Sequence, residues 1–206
     1  MQADPGDTEG WLRAARRGEI AAFNRLVEHY QRQVYNLCYR TLAHPEDAAD
    51  ATQEAFLLAY RGIASFRGAP EGFRPWLLRI AVNACYDQLR RRKRRPGDSL
   101  DALAGHADEE PGPAERLPDP APGPEQQALT SETARRIQAA LARLSPDQRL
   151  TVVLCDVQGL SYDEAAQVMA VELGTVKSRL SRARAQLRDL LLAAGELPSA
   201  ARRLEQ

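Results

Sequence analysis

Two features of exported or membrane-bound proteins are missing from this 206-residue sequence. No apolar run approaches the roughly 18 residues that a membrane span needs. The N-terminus carries Asp4, Asp7 and Glu9, where a secretory signal needs positive charge followed by an apolar stretch. We therefore expect no membrane insertion and a cytoplasmic location.

Cysteine is also scarce. Cys38, Cys85 and Cys155 are an odd number at wide spacing, and the sequence has no CxxC pair. This pattern argues against a disulfide framework. Because a free cysteine packs as a small hydrophobic side chain, we expect buried or half-buried thiols, and nothing in the sequence supports a redox-sensing role.

The chain has no net charge, since 28 basic residues balance 28 acidic ones. Alone, this balance argues against a nucleic-acid-binding protein, which is usually basic. The charges are unevenly distributed, however. Residues 1–95 hold 16 basic and 11 acidic residues, residues 96–125 hold one and eight, and residues 126–206 hold 11 and nine. Two basic blocks are therefore joined by an acidic bridge.

The acidic bridge, residues 96–125, contains seven of the 13 prolines and few large apolar side chains. Proline removes backbone hydrogen-bond donors, and so little apolar surface cannot offset the entropy of ordering a chain. We expect a flexible linker. At ~3.3 Å per residue it can span about 100 Å, so the flanking blocks can act at separate sites on one partner.

Strand-like alternation is absent and β-branched residues are sparse, which predicts an all-α fold of two small helical domains. In the first block, apolar residues keep helical spacing from Trp11 to about Leu42. Pro45 suits the first turn of a helix that should run to about Gly62, and Pro75 opens a long helix that continues into an Arg/Lys run.

The second block predicts a helix-turn-helix. A helix over about 125–144 is followed by SPDQ at 145–148 and by SYDE at 161–164, and both tetrapeptides are typical of capping boxes. Gly159 should end the first capped helix, and a last helix should cover about 175–194. A short helix, a tight turn and a longer basic helix form the helix-turn-helix order.

The last predicted helix has one face suited to reading DNA. At 100° per residue its apolar side packs inward, while residues 173–188 include no acidic residue. Arginine and lysine donors match base edges in the major groove, and small hydroxyl side chains adapt to either partner. This face carries Thr175, Lys177, Ser178, Ser181 and Arg182, with Arg179, Arg184 and Arg188 at its flanks.

A second basic feature ends the first block, where residues 90–95 are all Arg or Lys. The same helix carries a polar stripe formed by Arg79, Asn83, Asp87, Arg90 and Arg94. The loop before it holds Phe66, Arg67, Phe73, Arg74 and Trp76. Aromatic rings beside arginines suit stacking on unpaired bases, although one or two of these rings can equally belong to the core.

These motifs resemble a known family. The segment at 66–95, FRGAPEGFRPWLLRIAVNACYDQLRRRKRR, is similar to the promoter-melting region of bacterial sigma factors. The segment at 47–61, DAADATQEAFLLAYR, resembles their polymerase-binding helix, and residues 144–187 resemble their fourth conserved region. With only these two domains, the chain is identified as a member of the small extracytoplasmic function (ECF) branch of the sigma-70 family, over roughly 10–95 and 126–194.

The resemblance implies domains and partners. Residues 1–95 would be sigma region 2 and residues 126–206 sigma region 4, with 96–125 as linker. The partners would be core RNA polymerase, through its β′ coiled coil and β flap, promoter DNA and an anti-sigma factor. Asp50, Gln53 and Glu54 form an exposed patch at i, i+3 and i+4 and would meet the coiled coil.

The resemblance also assigns DNA contacts. The loop and long helix of the first domain would capture a flipped base of the −10 element, at a cost of a few kcal/mol per base. The residues at matching positions are Phe66, Arg67, Arg74, Trp76, Arg79, Asn83, Asp87 and Arg90. The last helix would read the −35 element through Thr175, Lys177, Ser178, Ser181, Arg182 and Arg184.

Other functions are weighed against this one. A stand-alone helix-turn-helix regulator leaves the motifs at 47–61 and 66–95 without a task. An enzyme is not expected, because no HExxH, phosphate-binding loop or nucleophile–base motif occurs. His29, Cys38 and His44 do not have the spacing of a zinc site, so no catalytic residue, metal or cofactor is expected.

The acidic linker is long and proline-rich for this family, and we expect it to mimic nucleic acid in the basic channels of the polymerase. Replacing its eight acidic residues with serine or glutamine should therefore change the ratio of abortive to full-length RNA in transcription assays. Initiation and promoter escape identical to those of the unaltered chain would contradict this role.

Overall fold

The computed structural model describes residues 5–94 and 124–193, and in these ranges every regular element is a helix, as expected. The helices fall into two compact units. The first unit contains α1 (Pro5–Arg16), α2 (Ile20–Leu42), α3 (Pro45–Gly62) and α4 (Phe73–Arg94), with short 3₁₀ turns at Ile63–Ser65 and Pro70–Gly72 before α4. Residues 96–123 of the predicted linker lie outside the described residues, and its last two residues begin α5.

The helical spacing between Trp11 and Leu42 belongs to two helices, not one. Gly18 separates α1 from α2 with a backbone φ of +91°, and glycine adopts this left-handed region without a steric penalty. Hydrophobic periodicity does not reveal such a break, because both helices turn their apolar faces toward the same core. The helix predicted from Pro75 also begins two residues earlier, at Phe73.

The core of the first unit depends on an alanine face of α3. Ala48, Ala51, Ala55 and Ala59 are at most 1% exposed, and α3 packs against both α2 and α4. Side chains this small let the three helix backbones approach closely. Most of the larger core side chains of this unit therefore come from the neighbouring helices, while Leu57 and Leu58 of α3 are exposed.

The cysteines lie as expected. Cys38 of α2 and Cys85 of α4 are buried, and Cys155 in the second unit is half-buried. The hydrogen bond between the two buried thiols, together with burial, raises the pKa of Cys85 well above its usual value. Cys85 is therefore a protonated core side chain at neutral pH.

The second unit contains α5 (Pro124–Ala142), α6 (Pro146–Val152), most of α7 (Tyr162–Met169) and α8 (Leu173–Ala193). Both predicted capping boxes are confirmed. Ser145 accepts from the backbone N–H of Gln148, and the Ser145 N–H donates to the Gln148 side chain. Ser161 and Glu164 make the same reciprocal pair, at 3.2 and 2.8 Å.

The chain does not continue regularly from α6 to Gly159. A π turn at Val153–Val157 follows α6 directly, and Gly159 then reverses the chain with a φ of +69°. The predicted stop at Gly159 is therefore correct, whereas the π turn was not predicted. Such turns are rare and occur often at functional positions.

A buried arginine joins α5 to α6. Arg149 is 8% exposed, and its guanidinium donates to the carbonyls of Leu141, Ala142 and Leu144 at 2.8, 2.6 and 3.2 Å. The last carbonyls of an α-helix have no partner within the helix. Arg149 supplies these hydrogen-bond donors. One of the 11 basic residues in the range 126–206 therefore has a structural role only.

Candidate nucleic-acid interface

The predicted polar stripe occupies the outer face of α4. Arg79, Asn83, Asp87 and Arg90 are all exposed, while Leu77, Leu78, Ala81, Val82 and Cys85 of the same helix are buried in the core. Asp87 forms an ion pair with Arg90 one turn later. Hydrogen-bond donors and an acceptor therefore alternate along about three turns of exposed helix, ending in the basic run.

The aromatic residues before α4 divide between core and surface. Phe66 and Phe73 are 7% and 1% exposed, so these rings belong to the core. Trp76 is half-buried, and its ring packs on both phenylalanines, with centroids 5.2 Å from Phe66 and 5.5 Å from Phe73. Trp76 is thus the least buried aromatic residue of the set, and its ring packs on Phe66.

Gly68 fixes how this loop crosses Phe66. A Cβ atom at Gly68 would lie 2.6 Å from the Phe66 ring, closer than side-chain atoms approach.

The two arginines of the loop, Arg67 and Arg74, differ in exposure and in contacts. Arg67 is exposed and donates to the carbonyl of Ala64 at 2.7 Å. Arg74 is half-buried. Burial of Tyr30 raises the pKa of that phenol, and the positive charge of Arg74 opposes the rise.

The basic run at the end of α4 is not uniformly available. Arg92 turns back toward the first turn of α3, where it forms an ion pair with Asp47 at 2.5 Å and donates to the Leu42 carbonyl at 3.4 Å. Arg92 keeps 40% of its side chain exposed. Arg90, Arg91, Lys93 and Arg94 are also exposed, with Arg90 in its ion pair with Asp87, and residue 95 lies outside the described range. Sequence inspection did not distinguish Arg92 from its neighbours, because the contact joins residues about 45 positions apart.

The outer face of α3 carries the predicted patch and one residue that sequence analysis missed. Asp50, Gln53 and Glu54 are exposed as expected. Leu57 is 46% exposed and lies one turn further along the same face. The patch is therefore a polar surface with an apolar side chain beside it. The exposed leucine was hidden within the run FLLAY, which resembles core sequence.

Most of the residues predicted to form the reading face of α8 lie on its exposed side. Lys177, Ser178, Ser181 and Arg182 are exposed. Val176, Leu180 and Ala183 are at most 2% exposed on the opposite side. Thr175 is half-buried, and its carbonyl accepts from Ser178 at 3.0 Å; Arg182 donates to the Ser178 carbonyl at 3.2 Å.

Two arginines beside this face are held by other elements. Arg184 donates to both carboxylate oxygens of Asp156, at 2.5 and 3.1 Å, and Arg179 donates to Asp147 at 2.6 Å. The hydrogen bond with Asp156 raises the pKa of Arg184 further above its usual range. Arg184 was predicted as a DNA contact, and the structure places it at the edge of the reading face in a bidentate ion pair.

Among the described residues, no group of three or more histidine, cysteine or acidic side chains is arranged to hold a metal ion. In the same part of the chain, no helix has the length and apolar character to cross a membrane.

A helical unit ending in a basic polar stripe and a second unit that carries a helix-turn-helix define a class of DNA-binding protein. Residues 26–95 match the family Sigma-70 region 2, and residues 134–187 match Sigma-70, region 4. The chain belongs to the ECF branch of the sigma-70 family. The chain acts in promoter-specific transcription initiation by RNA polymerase.

Three comparisons illustrate this relationship. The chain is 39% identical to the ECF RNA polymerase sigma factor SigE of Mycolicibacterium smegmatis, over 84% of the chain and 62% of SigE. It is 40% identical to the ECF sigma factor SigM of Mycobacterium tuberculosis, over 84% of the chain and 79% of SigM. It is also similar to the sigma factor RpoE of Bartonella quintana, solved with the anti-sigma factor NepR, with a TM-score of 0.60, 25% identity and coverage of 82% and 96%.

The contact between Gly68 and Phe66 gives a prediction for the candidate site. Gly68→Ala should destabilise the first unit by about 1–3 kcal/mol, because the buried Phe66 ring must shift to admit the methyl group. Urea unfolding followed by tryptophan fluorescence measures this, since Trp11 and Trp76 both lie in the first unit.

Gly72→Ala is the matched control, because a Cβ atom there lies 3.9 Å from the same ring, an ordinary contact. It should change the free energy of unfolding by no more than about 0.5 kcal/mol. Equal effects of the two substitutions would contradict the packing described here.

Proposed function

We propose that the chain is a dissociable promoter-specificity subunit that acts by binding alone, with no catalytic residue or cofactor, in the cytoplasm where RNA polymerase works. One observation carries this proposal. A single compact unit exposes a protein-binding patch on α3 and a polar stripe with a half-exposed tryptophan on α4. A polymerase contact and a single-strand contact can therefore be made at once by helices that pack on each other.

The outer face of α3 is the proposed contact for the β′ coiled coil. Asp50, Gln53 and Glu54 offer hydrogen-bond acceptors and a donor, and Leu57 adds apolar surface that only a partner can bury. Binding energy at protein interfaces concentrates in a few well-packed side chains that a polar rim shields from water. Leu57 fits the central role, and the three polar residues fit the rim. Region 4 would contact the β flap.

The loop and the outer face of α4 are the proposed site for the non-template strand of the −10 element. An unpaired base can stack on the free face of Trp76, because base–aromatic stacking tolerates any base. Asn83 and Asp87 can bond to base edges, while the arginines can contact phosphates. The proposed set is Arg67, Arg74, Trp76, Arg79, Asn83, Asp87 and Arg90, with Phe66 supporting Trp76. Such contacts offset the cost of unstacking without ATP hydrolysis.

The exposed face of α8 is the proposed −35 reader. Lys177 and Arg182 provide the donors that match guanine edges, while Thr175, Ser178 and Ser181 provide short hydroxyl side chains. Ser181 is small, so it leaves space for a base pair or a bridging water. Arg184 would remain near the DNA backbone at the edge of this face.

The proposed domain boundaries are 1–95, 96–125 and 126–206. They are supported by the family matches at 26–95 and 134–187 and by the acidic, proline-rich composition between them. An extended linker would let polymerase set the distance between the two DNA-binding surfaces.

An anti-sigma factor is a further proposed partner. RpoE, which is similar in fold to this chain, was solved in complex with the anti-sigma factor NepR. A protein that covers Leu57 and its polar neighbours would block the proposed polymerase contact.

Transcription with purified core polymerase tests the proposal. Adding the full chain to core should produce run-off transcripts from a subset of promoters on a genomic template pool. Core alone should produce none of them. A chain that binds promoter duplexes tightly without core and starts no transcripts would instead be a stand-alone regulator, which leaves the α3 patch unused.

Two substitutions should separate the two functions of the first unit. Leu57→Ala should weaken core binding by about 1–2 kcal/mol, the cost of truncating a central interface side chain. Asn83→Ala should leave core binding unchanged and slow open-complex formation, because Asn83 faces DNA. Fluorescence titration with core and permanganate footprinting of melted promoter measure the two effects.

Leu58→Ala is the control for the first substitution, since Leu58 is 39% exposed but lies about 100° around the helix from Leu57. It should affect core binding less than Leu57→Ala. If Asn83→Ala lost core binding and melting equally, its effect would be on folding and not on the −10 contact.

A further inference from the structure

The recognition helix α8 is tethered on both sides of its reading face. With Ser178 at the centre, Arg179 lies about 100° to one side and Arg184 about 120° to the other. Arg179 reaches Asp147 in the first turn of α6, and Arg184 reaches Asp156 in the π turn. Each flank of α8 is thus joined to a different segment of the preceding chain.

These tethers add to the apolar packing of α8. The fully buried side chains of α8 are Val176, Leu180 and Ala183, Leu187 packs partly buried against the same core, and Gln186 donates to the carbonyl of Arg143 at 3.3 Å. A rotation of about 20° would move side-chain ends by about 2 Å at a helix radius of about 5–6 Å. That displacement exceeds the range of donor–acceptor distances in hydrogen bonds.

The charges argue that Arg184 does not serve phosphate binding. Its guanidinium makes two hydrogen bonds to the carboxylate of Asp156, a bidentate geometry that uses the planar fork of arginine, and Tyr162 is a further hydrogen-bond partner. The negative charge of Asp156 cancels the local attraction for a phosphate and would repel one that approached. In contrast, Arg182 bonds only to Ser178 of its own helix among the contacts described above.

Stability is a weak explanation for these pairs. The side chains of Arg184 and Asp156 are 52% and 33% exposed, and those of Arg179 and Asp147 are 22% and 44% exposed. Ion pairs at this exposure contribute little to the free energy of unfolding. Two pairs on opposite flanks can nevertheless fix the direction in which the reading face points.

We propose that the pairs Asp156–Arg184 and Asp147–Arg179 form a bracket that sets the rotation of α8, so that these four are positioning residues for −35 recognition and Arg184 is not a DNA contact. This inference rests on the proposed −35 role of α8. It places the specificity of the reader partly in α6 and the π turn, outside the helix that meets the bases.

The test uses holoenzyme formed from the full chain and core polymerase. The probe is the promoter duplex that holoenzyme enriches from a pool randomised over the −35 element, compared with the same duplex carrying a scrambled −35 element. Asp156→Asn and Arg184→Gln should each reduce discrimination between the duplexes by about three- to tenfold, the size of coupling expected for contacting residues. The slope of log affinity against log salt concentration should not change.

The opposite pattern overturns the proposal. If Arg184 contacts a phosphate, Arg184→Gln should lower the salt slope by about 1, and Asp156→Asn should tighten binding by freeing the guanidinium. The charge-exchanged double variant Asp156→Arg with Arg184→Asp decides between the two outcomes. It restores discrimination toward the unaltered value if the pair is a bracket, and it weakens binding further if Arg184 faces DNA.

Controls keep this test separate from the proposed function. Asp163→Asn removes one exposed negative charge from α7 without touching the bracket and should leave discrimination unchanged. Arg182→Gln should reduce discrimination by about tenfold as a base contact. If Arg182→Gln has its effect and the bracket variants have none, the bracket alone is wrong. If no variant on α8 changes discrimination, the proposed −35 reading fails. Thermal unfolding midpoints of all variants should match within a few degrees.

Discussion

The alanine face of α3 is the constraint on which the first unit depends. Ala48, Ala51, Ala55 and Ala59 are buried between α2 and α4, and their small side chains bring the three backbones close together. Only such a face allows a helix in the middle of the unit to contribute to the core and still present its bulky residues outward. The proposed polymerase contact on α3 and the proposed DNA contact on α4 therefore belong to one rigid body.

Arginine has two distinct tasks in this chain, and only the structure separates them. Arg149 closes the end of α5, and Arg92 ties the end of α4 to α3. Arg179 and Arg184 join α8 to α6 and the π turn. These residues orient the basic surfaces, while the exposed cations around them are available to phosphates. The number of basic residues in a block thus overstates how many of them can bind DNA, because some of the arginines are bonded to groups of the protein itself.

The loop before α4 shows how a core and a binding site share one aromatic cluster. Phe73 and Phe66 are buried and Trp76 rests on them, while Gly68 lets the backbone pass directly over the Phe66 ring. Stacking requires a ring held at a defined angle, and this packing provides it. In the proposed −10 contact, the two buried rings would therefore act by supporting the third.

Much of this architecture could be predicted from local chemistry. Helical spacing, proline at the start of α3, both capping boxes and the stop at Gly159 involve residues within a few positions of each other, and all are confirmed. The motifs at 47–61, 66–95 and 144–187 likewise identified the family, because they are contiguous in sequence.

The sequence by itself thus determined most of the helices, their order and the candidate residues for contacts with DNA or polymerase, because these follow from periodicity and short motifs. Only the tertiary structure decided which candidates remain available. Phe66 entered the core, Arg184 and Arg92 turned to distant carboxylates, and Leu57 stayed exposed. Each of these outcomes depends on neighbours between about 7 and 45 residues away, and contacts at that distance arise only once the helices have packed.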